Sequence, residues 1–161
     1  MPKPDSIIFV CTANICRSPM AERLMRHALA AESEPLASIR VLSAGVSAMS
    51  GEHASPNAIR ALDLVGLDLR DHRSRQLSEE MLDQAKAVFC MTQSHKYLIQ
   101  MSFDRAPEHL YLMRECIPHV IDRDIPDPFG QNLDVYKACR DSMVEAIPAI
   151  IHFLKTLNLK Q

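Results

Sequence analysis

The sequence is poor in aromatic residues: it has no tryptophan, and only 5% of its residues are Phe, Tyr or Trp. A surface that binds nucleic acid by base stacking needs more rings than this. An excess of positive charge is also lacking, because 18 Lys and Arg stand against 20 Asp and Glu, a net charge of −2. We therefore expect no nucleic-acid partner, and any recognition of anions must be local.

Long hydrophobic runs are absent, and the first residues contain no apolar stretch of the kind that begins a secretory signal. No membrane partner and no export are therefore expected. The five cysteines are an odd number without the spacing of a disulfide scaffold, which favours free thiols in a reducing cytoplasm. No spacing of His or Cys is typical of a metal site, so we expect neither a metal nor another cofactor.

The length of 161 residues suits one domain, and no linker, repeat or low-complexity tract divides it. We expect a single domain over 1–161, with a loose N-terminal end over 1–5. The expected oligomeric state is a monomer.

Short apolar runs alternate with helical patterns along the chain. The runs lack the alternation of a half-exposed strand, which is typical of strands buried on both faces. Strands are predicted over 6–10, 39–43, 87–91 and 109–113. Helices are predicted from an N-cap at Ser18, from Ser55, over 92–103, and over 133–157, where Pro148 should kink or shorten the last helix. This order predicts an α/β fold of three layers, a four-stranded parallel sheet with helices on both faces.

The loop after the first strand carries the clearest chemical pattern. Cys11 ends the strand, Arg17 follows six positions later, and Ser18 is the expected helix cap. Inward N–H groups between them would form an anion cradle beside the positive end of the helix dipole, and Arg17 adds a planar fork matched to phosphate oxygens. These groups and the Ser18 hydroxyl favour the thiolate form of Cys11. The intervening residues of this phosphate loop are Thr12, Ala13, Asn14, Ile15 and Cys16.

This Cys-x5-Arg-Ser pattern directly after a first strand resembles the low-molecular-weight protein tyrosine phosphatases of bacterial type, close to their protein-arginine phosphatase subgroup. Two further segments carry the resemblance: Leu-Ser-Ala-Gly at 42–45 and Asp-Pro-Phe at 127–129. The ordered set is specific, whereas Cys-x5-Arg alone also occurs in rhodanese-like and other phosphatase folds.

The resemblance implies a role for each matching residue. Cys11 corresponds to the nucleophile, Arg17 to the phosphate clamp and Asp127 to the general acid. Asn14 corresponds to an asparagine that holds the loop in a left-handed turn, a conformation that Asn tolerates. Two supporting residues are implied to hydrogen-bond this asparagine, Ser43 and His72.

Two positions depart from the family pattern. Ala13 stands where glycine is frequent, which requires a negative φ or a little strain. Phe129 and Gly130 replace the paired tyrosines of many animal members, so regulation by their phosphorylation is absent.

The remaining candidates are interpreted more simply. Asp127 lies between two prolines in a rigid loop, a good mount for an acid, although a turn-forming Asp is the alternative. Asp122 and Asp124 are interpreted as solvated loop charges. Cys90 and Cys139 lie on apolar patterns and are interpreted as packing residues.

The expected function is hydrolysis of phosphotyrosine in a phosphorylated protein, the partner, through a cysteinyl-phosphate. Ile15 and Phe129 form the expected substrate platform, because apolar flanks suit an aromatic ring. The arginine phosphatases that the chain resembles have Thr at the position of Ile15. The resemblance also implies that Cys16 traps oxidised Cys11 reversibly, with simple packing beneath the loop as the alternative.

Three other functions stay open. A protein-arginine phosphatase would use the same loop on phosphoarginine. An arsenate reductase would need further thiols to carry a disulfide outward, and only Cys90 is expected near the right edge of the sheet. A phosphate-binding module would need neither a nucleophile nor an acid.

Overall fold

The computed structural model describes residues 4–159. Its strands are β1 (Ser6–Cys11), β2 (Arg40–Gly45), β3 (Ala85–Cys90) and β4 (Leu110–Leu112). Its α-helices are α1 (Arg17–Ala30), α2 (Pro56–Asp63), α3 (Glu79–Asp83), α4 (Gln93–Ser102) and α5 (Leu133–Leu159). A short 3-10 turn over Leu36–Ser38 precedes β2.

The four strands form one parallel sheet in the order β2-β1-β3-β4. β1 is central, and its Ile7 lies opposite Val41 of β2 and Ala87 of β3. Because all strands run in the same direction, their carboxyl ends meet at one edge, where ligands of such sheets bind. Cys11, the last residue of β1, lies at this edge. The predicted four-stranded parallel sheet is confirmed.

Helices cover both faces of this sheet. Alternate side chains of a strand point to opposite faces. Ile7 and Phe9 pack in the cluster that includes α1, α2 and α5, whereas Ile8 and Val10 pack in the cluster on the side of α3 and α4. All four side chains are fully buried, which explains why β1 has no polar alternation. The predicted three layers are therefore confirmed.

The helix after the phosphate loop begins differently from the prediction. α1 starts at Arg17, its N-cap is Cys16, and no side chain caps it. The prediction of Ser18 as N-cap is therefore wrong. The Ser18 hydroxyl lies instead 2.9 Å from the Cys11 sulfur.

Two other helices also depart from the sequence pattern. α3 was not predicted, because five residues are too few to show a helical period; Ser78 caps it by accepting the Met81 N–H at 3.3 Å. α5 continues through Pro148, so the shortened alternative is wrong. Pro148 leaves the carbonyl of Val144 without its helical donor, at an exposed position of the helix. Within the described chain, no helix is long and apolar enough to cross a membrane.

The expected loose end is described only in part. Asp5 forms an ion pair with Arg40, with 2.8 Å between Oδ1 and Nη2, and donates its N–H to the Gln84 carbonyl at 3.1 Å. Residues 1–3 lie outside the described residues.

Gly45 ends β2 at a point where three chain segments approach each other closely. A Cβ at this position would overlap the Thr12 carbonyl oxygen and lie 2.9 Å from the Ala48 Cβ. Gly45 also forms an isolated parallel bridge with Gln76 and donates its N–H to the Arg75 carbonyl at 2.9 Å. The absence of a side chain at Gly45 therefore lets the segment around Arg75 lie beside the loop that follows β1.

Candidate active site

The backbone of the phosphate loop is held from outside through its carbonyl groups. The carbonyls of Cys11, Thr12 and Ile15 accept N–H donors from the segment after β2, at 2.8–3.0 Å; the donors are Val46, Ser47 and Ser55. The N–H groups of loop residues 12–15 donate no hydrogen bond to any described residue. With the carbonyls engaged outward, these N–H groups are left for an anion inside the loop.

Asn14 is the central support of the loop. Its side chain is fully buried and its φ is 59°, the left-handed conformation expected from the resemblance. Its Nδ2 donates to the hydroxyls of Ser18 at 2.8 Å and Ser43 at 3.0 Å. Its Oδ1 accepts the Arg75 N–H at 3.0 Å, and its carbonyl lies 2.7 Å from His72 Nε2. The structure thus brings Ser43 and His72 onto Asn14.

The direction of these hydrogen bonds follows from one donor. The Arg75 N–H can only donate, so it fixes Oδ1 of Asn14 on its side and directs Nδ2 to the two hydroxyls. The Ser18 oxygen accepts from Nδ2, and its own proton has two acceptors in reach, the Cys11 sulfur at 2.9 Å and the Ala44 carbonyl at 3.4 Å. Cys11 is only 2% exposed. A hydroxyl donor at this distance stabilises a buried thiolate.

His72 and Glu22 support Asn14 from two sides. The Asn14 carbonyl can only accept, so His72 Nε2 carries the proton. Burial lowers the pKa of His72, and the ring is neutral. Ser43 accepts from Asn14, and the buried carboxyl of Glu22 lies near Ser43 and 3.6 Å from Arg26. Burial raises the pKa of Glu22.

Arg17 joins the phosphate loop to the loop that carries Asp127. Arg17 is 4% exposed, and its Nη1 donates to the Ile125 carbonyl at 2.9 Å. Its Nη2 lies 3.8 Å from Asp127 Oδ2, while Oδ1 accepts the Phe129 N–H at 3.1 Å. The Asp127 side chain is 54% exposed. A single guanidinium therefore sets the spacing between the thiol and the carboxylate.

The loop that carries Asp127 is also attached to β3 and α4. The Ile125 N–H donates to the Met91 carbonyl at 2.8 Å. Asp124 Oδ1 accepts the N–H of Gln93, the first residue of α4, at 2.9 Å. Asp124 and Asp122 are both exposed, as expected for solvated loop charges, and Asp124 in addition binds the first residue of α4.

His95 links α4 to the phosphate loop, a contact that the sequence analysis did not predict. Its Nδ1 accepts the Thr92 N–H at 3.2 Å and completes a capping box of α4. The proton of the neutral ring is therefore on Nε2, which donates to the Thr12 hydroxyl at 2.9 Å. Burial, and next the nearby Arg17, lower the pKa of His95 to about 4.

Cys16 lies beneath the loop among groups that the sequence analysis missed. Its sulfur lies 3.3 Å from the Tyr136 hydroxyl and 3.4 Å from the Ser55 hydroxyl, and burial raises the pKa of its thiol. Tyr136 is 2% exposed, whereas Val135, its apolar neighbour on α5, is 38% exposed. Tyr136, and not the more apolar Val135, therefore lies on the buried face of α5.

The other candidates lie as follows. Ile15 is partly buried against the core, and Phe129 is 64% exposed. Cys90 and Cys139 are buried, as predicted for packing residues, and burial raises the pKa of each to about 12. Ala13, the glycine replacement, does not have a positive φ.

Comparisons with known proteins agree with this geometry. The family model of low molecular weight phosphotyrosine protein phosphatases matches residues 6–161. A protein-arginine-phosphatase from Geobacillus stearothermophilus is 39% identical over 153 residues, 95% of this chain and 98% of that protein. The low molecular weight protein-tyrosine-phosphatase Wzb of Salmonella typhi is 32% identical over 134 residues, 83% of each protein.

A solved structure is similar throughout its length. It is the YwlE arginine phosphatase in the form of a cysteine-to-serine mutant with a phosphorylated active-site serine. The TM-score is 0.81 at 36% identity, and the match covers 93% of this chain and 95% of that chain.

The buried histidines predict how stability depends on pH. An unfolded imidazole binds a proton below a pKa of about 6.5, whereas folded His95 does so only near its pKa of about 4. Between these values the unfolded state binds more protons, so the free energy of unfolding should fall as the pH is lowered from about 6.5 to about 4. Urea unfolding across this range measures the change.

Substitution isolates the contribution of His95. His95→Gln should weaken the dependence on pH, and His152→Gln, at an exposed position of α5, is the matched control. A His95→Gln variant with the wild-type dependence would contradict the assignment of a neutral buried ring.

Proposed function

The chain belongs to the low molecular weight phosphotyrosine protein phosphatase family, and from that premise we propose that it hydrolyses phosphotyrosine in proteins through a cysteinyl-phosphate. The observation that carries the proposal is the position of the Cys11 sulfur, 2.9 Å from the Ser18 hydroxyl. The sulfur lies at the start of the phosphate loop, and the N–H groups of loop residues 12–15 have no acceptor within residues 4–159. Binding alone needs no such nucleophile.

In the first step, the Cys11 thiolate attacks phosphorus in line with the leaving oxygen. The sulfur–phosphorus bond forms as the phosphorus–oxygen bond breaks, and Asp127 donates its proton to the leaving phenolic oxygen. The loop N–H groups and Arg17 stabilise the three equatorial oxygens. No metal is required, because these donors supply the positive charge.

In the second step, the Asp127 carboxylate takes a proton from water, which attacks phosphorus and releases inorganic phosphate and the thiolate. The exposure of Asp127 gives water access to this position. A phosphorylated serine in the cysteine-to-serine mutant of YwlE supports a covalent intermediate at this position of the loop.

Arg17 supports the assignment of the anion site. Its Nε is buried and has no hydrogen-bond partner among the described residues. A buried donor without a partner costs about 1–3 kcal/mol. A phosphate oxygen inside the loop would accept from this group and remove that cost.

The substrate residue distinguishes two candidate functions. Ile15 has no hydroxyl to orient a polar phosphoramidate, and with the exposed ring of Phe129 it favours the flat ring of phosphotyrosine. The 39% identity to a protein named protein-arginine-phosphatase supports phosphoarginine as the substrate instead. We propose phosphotyrosine because Ile15, which replaces the Thr of the arginine phosphatases that the chain resembles, lies in the phosphate loop itself.

The other two functions have less support. Cys90, the thiol that an arsenate reductase would use, is fully buried in the core on the α4 side. Arsenate-dependent oxidation of thioredoxin would demonstrate that activity. All five cysteines are free thiols, which supports a phosphatase of a single domain acting in the reducing cytoplasm.

Substitutions of the nucleophile and the acid test the mechanism. Cys11→Ser should abolish turnover of phenyl phosphate but leave phosphate binding measurable, because the cradle remains. Asp127→Ala should lower kcat for phenyl phosphate by about 10²–10⁴-fold, the usual effect of positioned proton transfer. The loss should be smaller for p-nitrophenyl phosphate, whose leaving group needs little protonation.

Asp122→Ala, an exposed carboxylate of the same segment, is the matched control and should keep the wild-type rate. If Asp127→Ala turned over phenyl phosphate at the wild-type rate, another group would be the acid.

Exchange of Ile15 tests substrate choice. Wild type should have a higher kcat/KM for phosphotyrosine peptides than for phosphoarginine peptides, and Ile15→Thr should shift the ratio towards phosphoarginine. Ile15→Val, which adds no hydroxyl, is the matched control. A wild-type preference for phosphoarginine, or a ratio that Ile15→Thr leaves unchanged, would overturn the choice of phosphotyrosine.

Cys16 is proposed to protect Cys11 from irreversible oxidation. Peroxide would convert the Cys11 thiolate to a sulfenic acid, and the Cys16 thiol would displace water from it and form a disulfide. Peroxide should inactivate the wild type, lower its mass by two hydrogens, and leave it recoverable by dithiothreitol. Cys16→Ser should recover less, whereas Cys116→Ser, a partly buried thiol of the segment after β4, should recover like the wild type. Equal recovery of Cys16→Ser would contradict the protective role.

A further inference from the structure

The contact between His95 and Thr12 has a direction. His95 Nε2 donates, so the Thr12 oxygen accepts at 2.9 Å and its own proton must be directed elsewhere. The Thr12 hydroxyl makes no second hydrogen bond to any residue in 4–159. Thr12 follows Cys11 directly, and the residue is exposed. The proton is therefore available on the side from which a substrate enters.

We propose that His95 is a positioning residue that holds the Thr12 hydroxyl with its proton directed into the phosphate loop, where it donates to an oxygen of the phosphoryl group. This inference rests on the proposed function and adds a side-chain donor to the N–H groups and Arg17. A hydroxyl that is already oriented loses less rotational freedom when the charged phosphoryl group arrives.

The surroundings of His95 keep it a neutral donor. Arg17, Asp127 and Asp124 are the charged groups that act on the ring. A protonated Nδ1 could not accept the Thr92 N–H, so protonation would break the capping box. Because its pKa is about 4, the ring remains neutral and keeps the same tautomer at neutral pH.

Two pairs of variants distinguish the loss of the Thr12 hydroxyl from the loss of its orientation by His95. Thr12→Val should lower kcat/KM for p-nitrophenyl phosphate about tenfold, the effect of one hydrogen bond to a charged group, and Thr12→Ser should restore most of it. Both Gln and Glu at the third helical position complete a capping box with Thr92. His95→Gln keeps a donor for Thr12, whereas His95→Glu can only accept and would draw the Thr12 proton away from the loop.

We therefore expect His95→Gln to retain most of the wild-type kcat/KM and His95→Glu to lose about as much as Thr12→Val, about tenfold. The inhibition constant of inorganic phosphate should rise in Thr12→Val and His95→Glu, and their Tm should stay near that of Ser94→Ala, an exposed control in the same turn. In the double variant Thr12→Val with His95→Glu, kcat/KM should fall no further than in Thr12→Val alone.

Three results would overturn the inference: a wild-type kcat/KM for Thr12→Val, an additive loss in the double variant, or losses that follow Tm. An additive loss in the double variant would show that the His95→Glu substitution acts through its negative charge and not through Thr12. If the wild type turns over p-nitrophenyl phosphate, none of these three results contradicts the proposed function. A wild type without turnover, by contrast, would refute the proposed function itself.

Discussion

The hydrogen bond from the Arg75 N–H to Asn14 Oδ1 is the constraint on which the site depends. Every other polar group around Asn14 is a hydroxyl, an amide or an imidazole that can reverse its role, but a backbone N–H cannot. It therefore determines that Asn14 donates to Ser18, whose own proton is left for the Cys11 sulfur or the Ala44 carbonyl. Asn14 is fully buried, so a reversed amide would face its Nδ2 against the Arg75 N–H and leave a buried donor unpaired, at a cost of about 1–3 kcal/mol.

The guanidinium of Arg17 extends this order to the second half of the site. It lies between the phosphate loop and the Ile125 carbonyl, and Asp124 and Ile125 are in turn bound to the start of α4 and the end of β3. Cys11 and Asp127 therefore share supports rather than only facing each other. A catalytic geometry that tolerates errors of about 0.5 Å needs such shared supports.

The fold and the loop with Cys11 and Arg17 could be predicted because each has a local signature, whereas the role given to Asp127 rests on the family resemblance. Buried strands are continuous apolar runs, and the loop with Cys11 and Arg17 is one contiguous segment. The groups that orient the loop have none: Arg75 contributes a backbone N–H, which every residue but proline has. His95 and Tyr136 lie on helices whose rotation is set by packing, and a difference of one position decided between Tyr136 and Val135. Glu22 lies opposite the apolar stripe of α1, and only the structure shows that Ser43 covers it.

The site is also assembled across most of the length of the chain. The Arg17 contact to Ile125 spans 108 residues, and the Cys16 contact to Tyr136 spans 120. β1 is synthesised first but pairs with β3, whose residues follow about 80 positions later. During translation Cys11 thus emerges long before Arg75, Ile125 and Asp127, the residues that complete its surroundings. Contacts so distant in sequence also form slowly, so catalytic competence marks the end of folding rather than an early stage.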